Sequence, residues 1–138
     1  MLQLMKQGLG TQLRHLIELL DGDVAQQYKD AGLEYRPRYT PIMRALKALE
    51  TASIGQLAEA AGITQPAATQ TVNLMKKEGL VTAEAGEDGR QRLVRLSTHG
   101  KTVLPALEVC WAATKAAADG LDAQLASPLS ACLSEAIA

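Results

Sequence analysis

The stretch SIGQLAEAAGITQPAATQTVNLMKKEGLVTAEAGEDGRQRLVRLS, residues 53–97, decides the fold of this chain. Its first part predicts a helix that begins at Ser53, where an S-x-x-Q capping box lies, and ends at Gly62. After a short turn, Thr64 is the expected N-cap of a second helix over 65–78. Two helices joined by a glycine turn predict a helix-turn-helix.

The second part of the stretch predicts a β-hairpin. Residues 80–85 and 92–96 are short and rich in β-prone side chains, and they flank the loop GEDGR at 86–90. Gly and Asp are the residues expected at a hairpin turn. A helix-turn-helix followed by a hairpin indicates a winged helix-turn-helix.

Helices are also predicted on both sides of this stretch. Gly32 is expected as the C-cap of a helix over 11–31. This helix has an apolar stripe on one face, formed by Leu13, Leu16, Ile17, Leu20, Val24 and Tyr28. A turn over 33–39 is followed by Thr40–Pro41, expected as the N-cap and first residue of the next helix. Beyond the hairpin, we predict a long helix over 98–122 and a short last helix capped by Ser127–Pro128.

The expected fold is therefore mainly α with a small β-hairpin wing, a winged helix-turn-helix with further helices before and after it. Alanine runs and apolar stripes on long helices are hard to bury in a thin monomer, so they favour an intertwined dimer.

The distribution of charge favours a nucleic-acid partner. The 138-residue chain has a formal net charge of −1. Residues 36–101 carry ten Lys and Arg against six Asp and Glu, hence +4, and the remainder carries four against nine, hence −5. A basic middle between acidic ends is typical of a nucleic-acid face. Aromatic residues make up only 3%, which argues against single-stranded partners because these need stacking platforms.

The second helix of the helix-turn-helix carries the predicted base contacts. The major groove of B-DNA admits one helix whose outer face is polar. Glutamine and asparagine can pair with adenine, and threonine can contact the thymine methyl group. Helix N-termini offer N–H groups to phosphates. The predicted DNA-binding residues of the two helices are Ser53, Thr64, Gln65, Ala67, Thr69, Gln70, Asn73, Lys76 and Lys77.

The wing supplies the remaining predicted contacts, which are Asp88, Arg90 and Arg92. An arginine on a narrow hairpin tip can enter the minor groove, where the negative potential is strongest at A·T tracts. Asp88 is expected to hold the Arg90 guanidinium in one pose through a charge-assisted pair.

These segments resemble the DNA-binding core of the MarR family of transcriptional regulators. Residues 88–97, DGRQRLVRLS, followed by Gly100, match the wing pattern D-x-R-x-x-x-V-x-L-[ST]-x-x-G of that family. Residues 63–67, ITQPA, are similar to its entry into the recognition helix. The lengths and order of the flanking helices also fit, so the resemblance covers almost the whole chain.

The resemblance implies a two-fold homodimer that binds a roughly palindromic site in double-stranded DNA. It implies N- and C-terminal dimerisation helices over 1–35 and 98–138 and a winged helix-turn-helix DNA-binding lobe over 36–97. It also implies relief of repression by a small ligand, often phenolic. The chain departs from the family at Gln70 and Leu74, where arginine is common, so phosphate affinity is expected to be modest. These departures leave room for an alternative function, a winged-helix protein-interaction module without DNA binding.

A cluster of aromatic and cationic residues is a candidate ligand site. Arginine can pair with a carboxylate, and tyrosine supplies both a wall and a hydrogen bond. The alternative is that these residues simply anchor a loop. The candidate ligand-binding residues are His15, Tyr28, Tyr35, Arg36, Arg38 and Tyr39.

The sequence shows no pattern of an enzyme: no catalytic spacing, phosphate loop or metal-ligand cluster is evident, so no cofactor and no metal are expected. Cys110 and Cys132 are expected as small core residues. No signal peptide or membrane span is predicted, and a bacterial cytoplasmic location is expected.

Overall fold

The computed structural model describes residues 8–87 and 89–138. Within them the chain forms two compact units, which divide between Leu104 and Pro105. The helices are α1 (Leu9–Asp30), α2 (Thr40–Leu49), α3 (Ile54–Ala61), α4 (Gln65–Lys77), α5 (Thr98–Gln124) and α6 (Leu129–Ile137), with a 3-10 turn at Pro37–Tyr39. The strands are β1 (Thr51–Ser53), β2 (Val81–Ala85) and β3 (Arg92–Leu96).

The predicted fold class is confirmed: the chain is mainly helical and has a winged helix-turn-helix with a small antiparallel sheet. The sheet has three strands in the order β1-β3-β2, whereas the sequence predicts only the β2–β3 hairpin. In β1, Ala52 pairs with Val94 of β3, and both side chains are buried. A strand of three residues is too short to show the alternation by which strands are predicted.

A small aliphatic core holds the first unit together. α2 packs against α3, α3 packs against α4, and β3 covers α2 and α3. Burial of such side chains is the main source of stability, about 1.5–3 kcal/mol for each Leu, Ile or Met. The fully buried side chains of these elements, and of the residue just before β2, include Ile42, Met43, Leu46, Leu57, Met75, Val94 and Leu80.

The predicted ends of α3 are confirmed. The Gln56 N–H donates to Ser53 Oγ at 3.2 Å, and the Ser53 N–H donates to Gln56 Oε1 at 2.8 Å, which completes the capping box. Gly62 ends α3 in the left-handed conformation, with φ of 68°. A side chain is strained there, so glycine is the residue that permits the tight turn into α4.

The start of α2 differs from the sequence-based expectation. Thr40 is the first helical residue rather than the N-cap, and Pro41 is the second. The Thr40 hydroxyl is instead within hydrogen-bond distance of two tyrosine hydroxyls, Tyr28 Oη at 3.4 Å and Tyr35 Oη at 3.2 Å. A tertiary contact therefore takes the group that local sequence assigned to a cap.

Gly100 fills a position of close backbone approach after the wing. A Cβ atom built there would overlap the carbonyl oxygen of Leu80. The same junction is held by Ser97, whose N–H donates to Leu80 O at 3.0 Å and whose hydroxyl donates to Gly79 O. The glycine of the wing pattern thus lets α5 begin directly against the end of α4.

The last helix is capped differently from the prediction. Ser127–Pro128 does not provide a side-chain cap; Pro128 is the N-cap residue without one. Asp122 of α5 accepts from the Leu129 N–H at 2.8 Å, the Ser130 N–H at 3.4 Å and the Ser130 hydroxyl at 2.6 Å. A carboxylate at a helix N-terminus is favourable because it satisfies free N–H groups and opposes the helix dipole.

The two cysteines differ in their exposure to solvent. Cys110 is buried, as expected, whereas Cys132 on α6 is exposed, so its expected core position is wrong for the single chain.

Of α1, which is described throughout, only Tyr28 is buried. Every residue of α6, also described in full, is exposed or half-buried. Among the described residues, no helix combines the length and the apolar character needed to cross a membrane.

Candidate nucleic-acid interface

The two faces of α4 have opposite character, as the sequence predicts. Ala68, Thr71, Val72 and Met75 are buried and hold the helix on the core. The opposite face is an open, shallow surface formed by Gln65, Pro66, Ala67, Thr69, Gln70 and Asn73. All of these are exposed except Ala67, which is half-buried, and Lys76 and Lys77 extend the exposed face at the last turn.

The inner face of α4 is tethered to the turn that precedes α2. Arg38 Nη2 donates to Thr71 Oγ1 at 3.2 Å, and this satisfies the one polar side chain of the buried stripe. Arg36 Nε lies 3.6 Å from Glu78 Oε1, directly after the last residue of α4. Both arginines were predicted to bind a ligand, and the structure gives each a contact that orients α4.

The predicted N-cap residues lie where the two helices begin. Thr64 Oγ1 accepts from the Ala67 N–H at 3.3 Å, as Ser53 Oγ accepts from Gln56. A hydroxyl that accepts one hydrogen bond can still donate its own proton, so both groups can cap a helix and donate to a phosphate oxygen.

Gln65 is positioned by a glycine that the sequence analysis did not single out. A Cβ atom built on Gly55, in the first turn of α3, would lie 2.9 Å from Gln65 Nε2. The amide of Gln65 therefore rests over α3 in space left by the missing side chain. Spacing alone gives no indication of this contact, because the two residues belong to different helices.

The wing tip is a tight glycine turn. The Gly86 N–H donates to Gln91 O at 2.6 Å, the Gly89 N–H donates to Gly86 O at 2.9 Å, and Gly89 has φ of 70°. Arg90 and Arg92 are exposed beside this turn. Asp88 lies outside the described residues, so its pairing with Arg90 stays a prediction.

A cross-strand ion pair lies at the base of the wing. Arg95 Nε of β3 is 4.0 Å from Glu84 Oε1 of β2, and both side chains are about half exposed or more. Such a long, solvated pair contributes little to stability, roughly 0–1 kcal/mol.

The three tyrosines form one buried cluster. The ring centroids of Tyr28 and Tyr35 are 4.8 Å apart, and those of Tyr35 and Tyr39 are 5.5 Å apart, both edge to face. Edge-to-face pairs add about 0.5–1.5 kcal/mol beyond burial. Burial raises the pKa of Tyr35 far above its usual value, so the phenol stays protonated. The cluster therefore anchors the turn between α1 and α2.

A cleft of about 440 Å³ opens beside this cluster. Its lining combines the edge of Tyr35 with two cations, two carboxylates and apolar side chains; the charged residues are Lys29, Arg36, Glu34 and Glu78. The structure brings Tyr35 and Arg36 of the predicted ligand set to this cleft. Tyr28 and Tyr39 lie in the core behind it, Arg38 contacts Thr71, and His15 is exposed on α1.

A buried polar contact lies next to the same cleft. Tyr39 Oη and Glu78 Oε2 are both inaccessible to solvent, and neither has a hydrogen bond of good geometry among the described residues. Burial raises the pKa of Tyr39, and the nearby Glu78 carboxylate raises this pKa further. Glu78 is thus held between a phenol and the Arg36 guanidinium at the end of α4.

Among the described residues, no three His, Cys, Asp or Glu side chains are grouped to hold a metal ion.

The fold defines a class of protein, the winged helix-turn-helix proteins. Residues 32–91 match a family model described as MarR family. None of the curated proteins is significantly similar to the chain in sequence.

Solved structures share the fold over nearly the whole chain. The M. tuberculosis transcriptional regulator MOSR in complex with DNA has a TM-score of 0.75 at 18% identity, covering 94% of this chain and 92% of that one. The PcaV transcriptional regulator from Streptomyces coelicolor, in complex with its natural ligand, has a TM-score of 0.70 at 21% identity. The match covers 99% of this chain and 93% of PcaV. A MarR family transcriptional regulator from Silicibacter pomeroyi has a TM-score of 0.69 at 22% identity. The match covers 98% of this chain and 96% of that regulator.

The chain is thus similar to the MarR family over residues 32–91 and shares the fold of MarR family transcriptional regulators over nearly its whole length. The resemblance inferred from the wing pattern and the recognition-helix entry is confirmed.

Proposed function

We propose that this regulator is a homodimeric repressor that binds a roughly palindromic site in double-stranded DNA. One observation carries the proposal: α4 buries an apolar stripe and leaves a polar, unobstructed outer face. A helix of this kind fits the major groove, where Gln65, Gln70 and Asn73 can pair with adenine and Thr69 can contact a thymine methyl.

The wing supplies the second contact in this proposal. Arg90 and Arg92 are exposed at a narrow hairpin, the geometry with which arginine enters a minor groove. Ser53 and Thr64 contact phosphates at the two helix N-termini and fix the register of α4 on the duplex.

Exposed apolar faces support a dimer. On α1, Ile17 is 54% and Leu20 is 41% exposed, although both belong to the predicted apolar stripe. In the second unit, Val109 is 71% and Ile137 is 82% exposed. Apolar faces of this extent on monomers usually mark interfaces, and two-fold symmetry places two copies of α4 in successive grooves.

Relief by a small aromatic acid is the regulatory part of the proposal. The cleft at Tyr35 and Arg36 has the volume of a small-molecule site. The Arg36 side chain, which pairs with Glu78, is 59% exposed. A ligand carboxylate there competes with Glu78 for Arg36, and its ring lies along the Tyr35 edge.

The DNA part is tested by mobility shift on the region upstream of the gene. Arg90→Ala is expected to weaken binding by about tenfold or more, since minor-groove arginine contacts are worth on the order of 1–3 kcal/mol. Lys115→Ala is the matched control, because it removes one exposed cation of α5 that pairs with Asp119 at 3.0 Å. Equal loss in both variants would contradict a specific wing contact.

The same experiment separates the rival function. A chain that retards no DNA but co-purifies with a protein partner would be a winged-helix interaction module. The ligand part is tested separately, by calorimetric titration of salicylate into the wild type and Arg36→Ala. Heat from the wild type alone supports the cleft, and no heat from either contradicts the ligand proposal while leaving the DNA proposal in place.

A further inference from the structure

The helix α4 carries no charged side chain before its last turn. Residues 65–75 read QPAATQTVNLM, and the first cations of the helix are Lys76 and Lys77. Contacts between cationic side chains and phosphates supply a large share of the affinity of proteins for DNA. A helix of this composition, placed in a groove, therefore leaves the phosphates beside its middle without a cation of its own.

Arg38 reaches the middle of α4 from another element. It lies in the 3-10 turn Pro37–Tyr39, and its Nη2 donates to Thr71 Oγ1 at 3.2 Å. Thr71 is the seventh of the thirteen residues of α4. The guanidinium is therefore held against α4 about halfway along its length.

The side of α4 that Arg38 contacts borders the open outer surface. Ala67, Thr71 and Leu74 follow one another at spacings of four and three residues, so they form one row along the helix. Ala67 also lines the outer surface, and Ala67 and Leu74 are half-buried. The guanidinium thus lies at the flank of α4, where the exposed face meets the buried stripe.

The charge of Arg38 is not balanced by a carboxylate. Its neighbour Arg36 lies 3.6 Å from Glu78 Oε1, whereas Arg38 contacts the neutral hydroxyl of Thr71 and forms no ion pair within the part of the chain that the structure describes. The side chain of Arg38 is exposed. A guanidinium has five N–H donors, so the hydrogen bond to Thr71 leaves others that an anion can accept.

The backbone on both sides of Arg38 is fixed. The ring of Pro37 restricts φ before it, and Tyr39 after it is completely buried. The Tyr39 N–H donates to Arg36 O at 3.0 Å and closes the turn. An arginine that is already held by its backbone and by one hydrogen bond loses less side-chain entropy when it binds an anion.

We propose that Arg38 binds a DNA phosphate beside the middle of α4 and supplies the charge that this helix lacks. The inference rests on the proposed placement of α4 in the major groove. That groove is about 12 Å wide and a helix with its side chains is about 10–12 Å across, so the two phosphate backbones run along the flanks of the helix. Arg38 lies at one of these flanks, and a guanidinium fork fits the oxygens of a phosphate.

The salt dependence of DNA binding tests this contact, by mobility shift of the duplex upstream of the gene. Arg38→Ala is expected to weaken binding by about tenfold or more. It should also make the slope of log K against log salt shallower by about 0.9 for each bound protomer, the effect of one phosphate contact. Lys115→Ala, which removes an exposed cation of α5, should change neither. An unchanged slope in Arg38→Ala, or an equal change in Lys115→Ala, would overturn the proposal.

Thr71→Val separates phosphate binding from support of α4. Valine has nearly the shape of threonine but cannot accept the hydrogen bond from Arg38, so the tether is lost while the charge remains. If Arg38 binds a phosphate, Thr71→Val keeps the salt slope of the wild type and Arg38→Ala does not. If Arg38 only orients α4, the two variants lose the same affinity at an unchanged slope, and the proposal is wrong.

Replacement of single phosphates by uncharged methylphosphonates identifies the partner. In the wild type, one replacement in each half-site should weaken binding about as much as Arg38→Ala does. In Arg38→Ala the same replacement should have little further effect, as in a double-mutant cycle. Losses that add at every phosphate would contradict the contact.

The outcomes also separate this inference from the proposed function. A wild type that binds the duplex and loses affinity in Arg90→Ala, but not in Arg38→Ala, would refute the Arg38 contact alone. A wild type that retards no DNA would refute both.

Discussion

Gly55 and Gln65 meet at the junction of α3 and α4, where two residues from different helices occupy space that a single methyl group would fill. Gln65 Nε2 lies 2.9 Å from the position of a Gly55 Cβ. Gln65 Nε2, the atom that a Cβ on Gly55 would approach, is at the far end of a flexible side chain, so it can move without disturbing the backbone. Gly55 thus acts as a positioning residue for Gln65, the first of the proposed base-reading side chains of α4.

Gly55→Ala is expected to separate stability from DNA binding. Alanine in place of a helical glycine typically adds about 0.5–1 kcal/mol of stability, so the variant should unfold at equal or higher denaturant. Its affinity for the operator should fall by about fivefold to a hundredfold, because the Gln65 amide is displaced and a good base contact is worth about 1–3 kcal/mol.

A double-mutant cycle checks the cause. In a Gln65→Ala background, Gly55→Ala should have no further effect on DNA affinity. Gly22→Ala is the matched stability control, because the space around this glycine of α1 is open. Loss of affinity by Gly55→Ala even without Gln65 would show that α3 itself has shifted.

The short C-terminal helix shows how one element is held by a side chain from another. Asp122 accepts three hydrogen bonds from the start of α6. The hydrogen bond from Ser130, with help from the two backbone N–H groups, lowers the pKa of Asp122 below its usual 3.8. The carboxylate is therefore favoured in the folded state over the unfolded chain.

The sign of the pH effect follows from this lowered pKa. The stability that the Asp122 carboxylate gives to α6 is fully present when the pH is above the pKa of Asp122 in the unfolded chain. It is lost as the pH falls through the lowered pKa of the folded chain. In Ser130→Ala, the pKa of Asp122, followed by carboxyl NMR, should rise toward 3.8. Ser134→Ala, a change further along α6, should leave it unchanged. An Asp122 pKa that is the same in the wild type and Ser130→Ala would contradict the cap.

On the scale of the whole molecule, the single chain leaves long apolar surfaces uncovered. The predicted α1 stripe contains Ile17 and Leu20, both exposed, whereas the core of the first unit is complete without them. A DNA-binding protein that contacts two half-sites gains affinity from linkage, commonly by a factor of about 10²–10⁴. Dimerisation and tight DNA binding are therefore expected to fail together.

Ile17→Glu is expected to disrupt the proposed dimer. A charge in an apolar interface is strongly unfavourable, so sedimentation at low micromolar concentration should show a monomer where the wild type shows a dimer. Operator affinity should fall by about a hundredfold. Thr11→Glu adds the same charge on the opposite side of α1 and should change neither. A monomeric wild type would contradict the homodimer.

Features that depend on local physics could be predicted from the amino-acid sequence. The capping box at Ser53, the left-handed Gly62 and the buried stripe of α4 follow from hydrogen bonding, backbone freedom and helical periodicity, and the structure confirms them. Because the outer face of α4 is the complement of that stripe, most candidate DNA contacts of this helix were already visible.

The tertiary structure alone decided the contacts between segments far apart in the chain. It adds β1 to the sheet, turns the Thr40 hydroxyl to the tyrosines and binds Arg38 to Thr71. No local pattern encodes such pairs, because propensity and periodicity describe neighbours along the chain. The pairs arise only when packing of the core has fixed where each element lies.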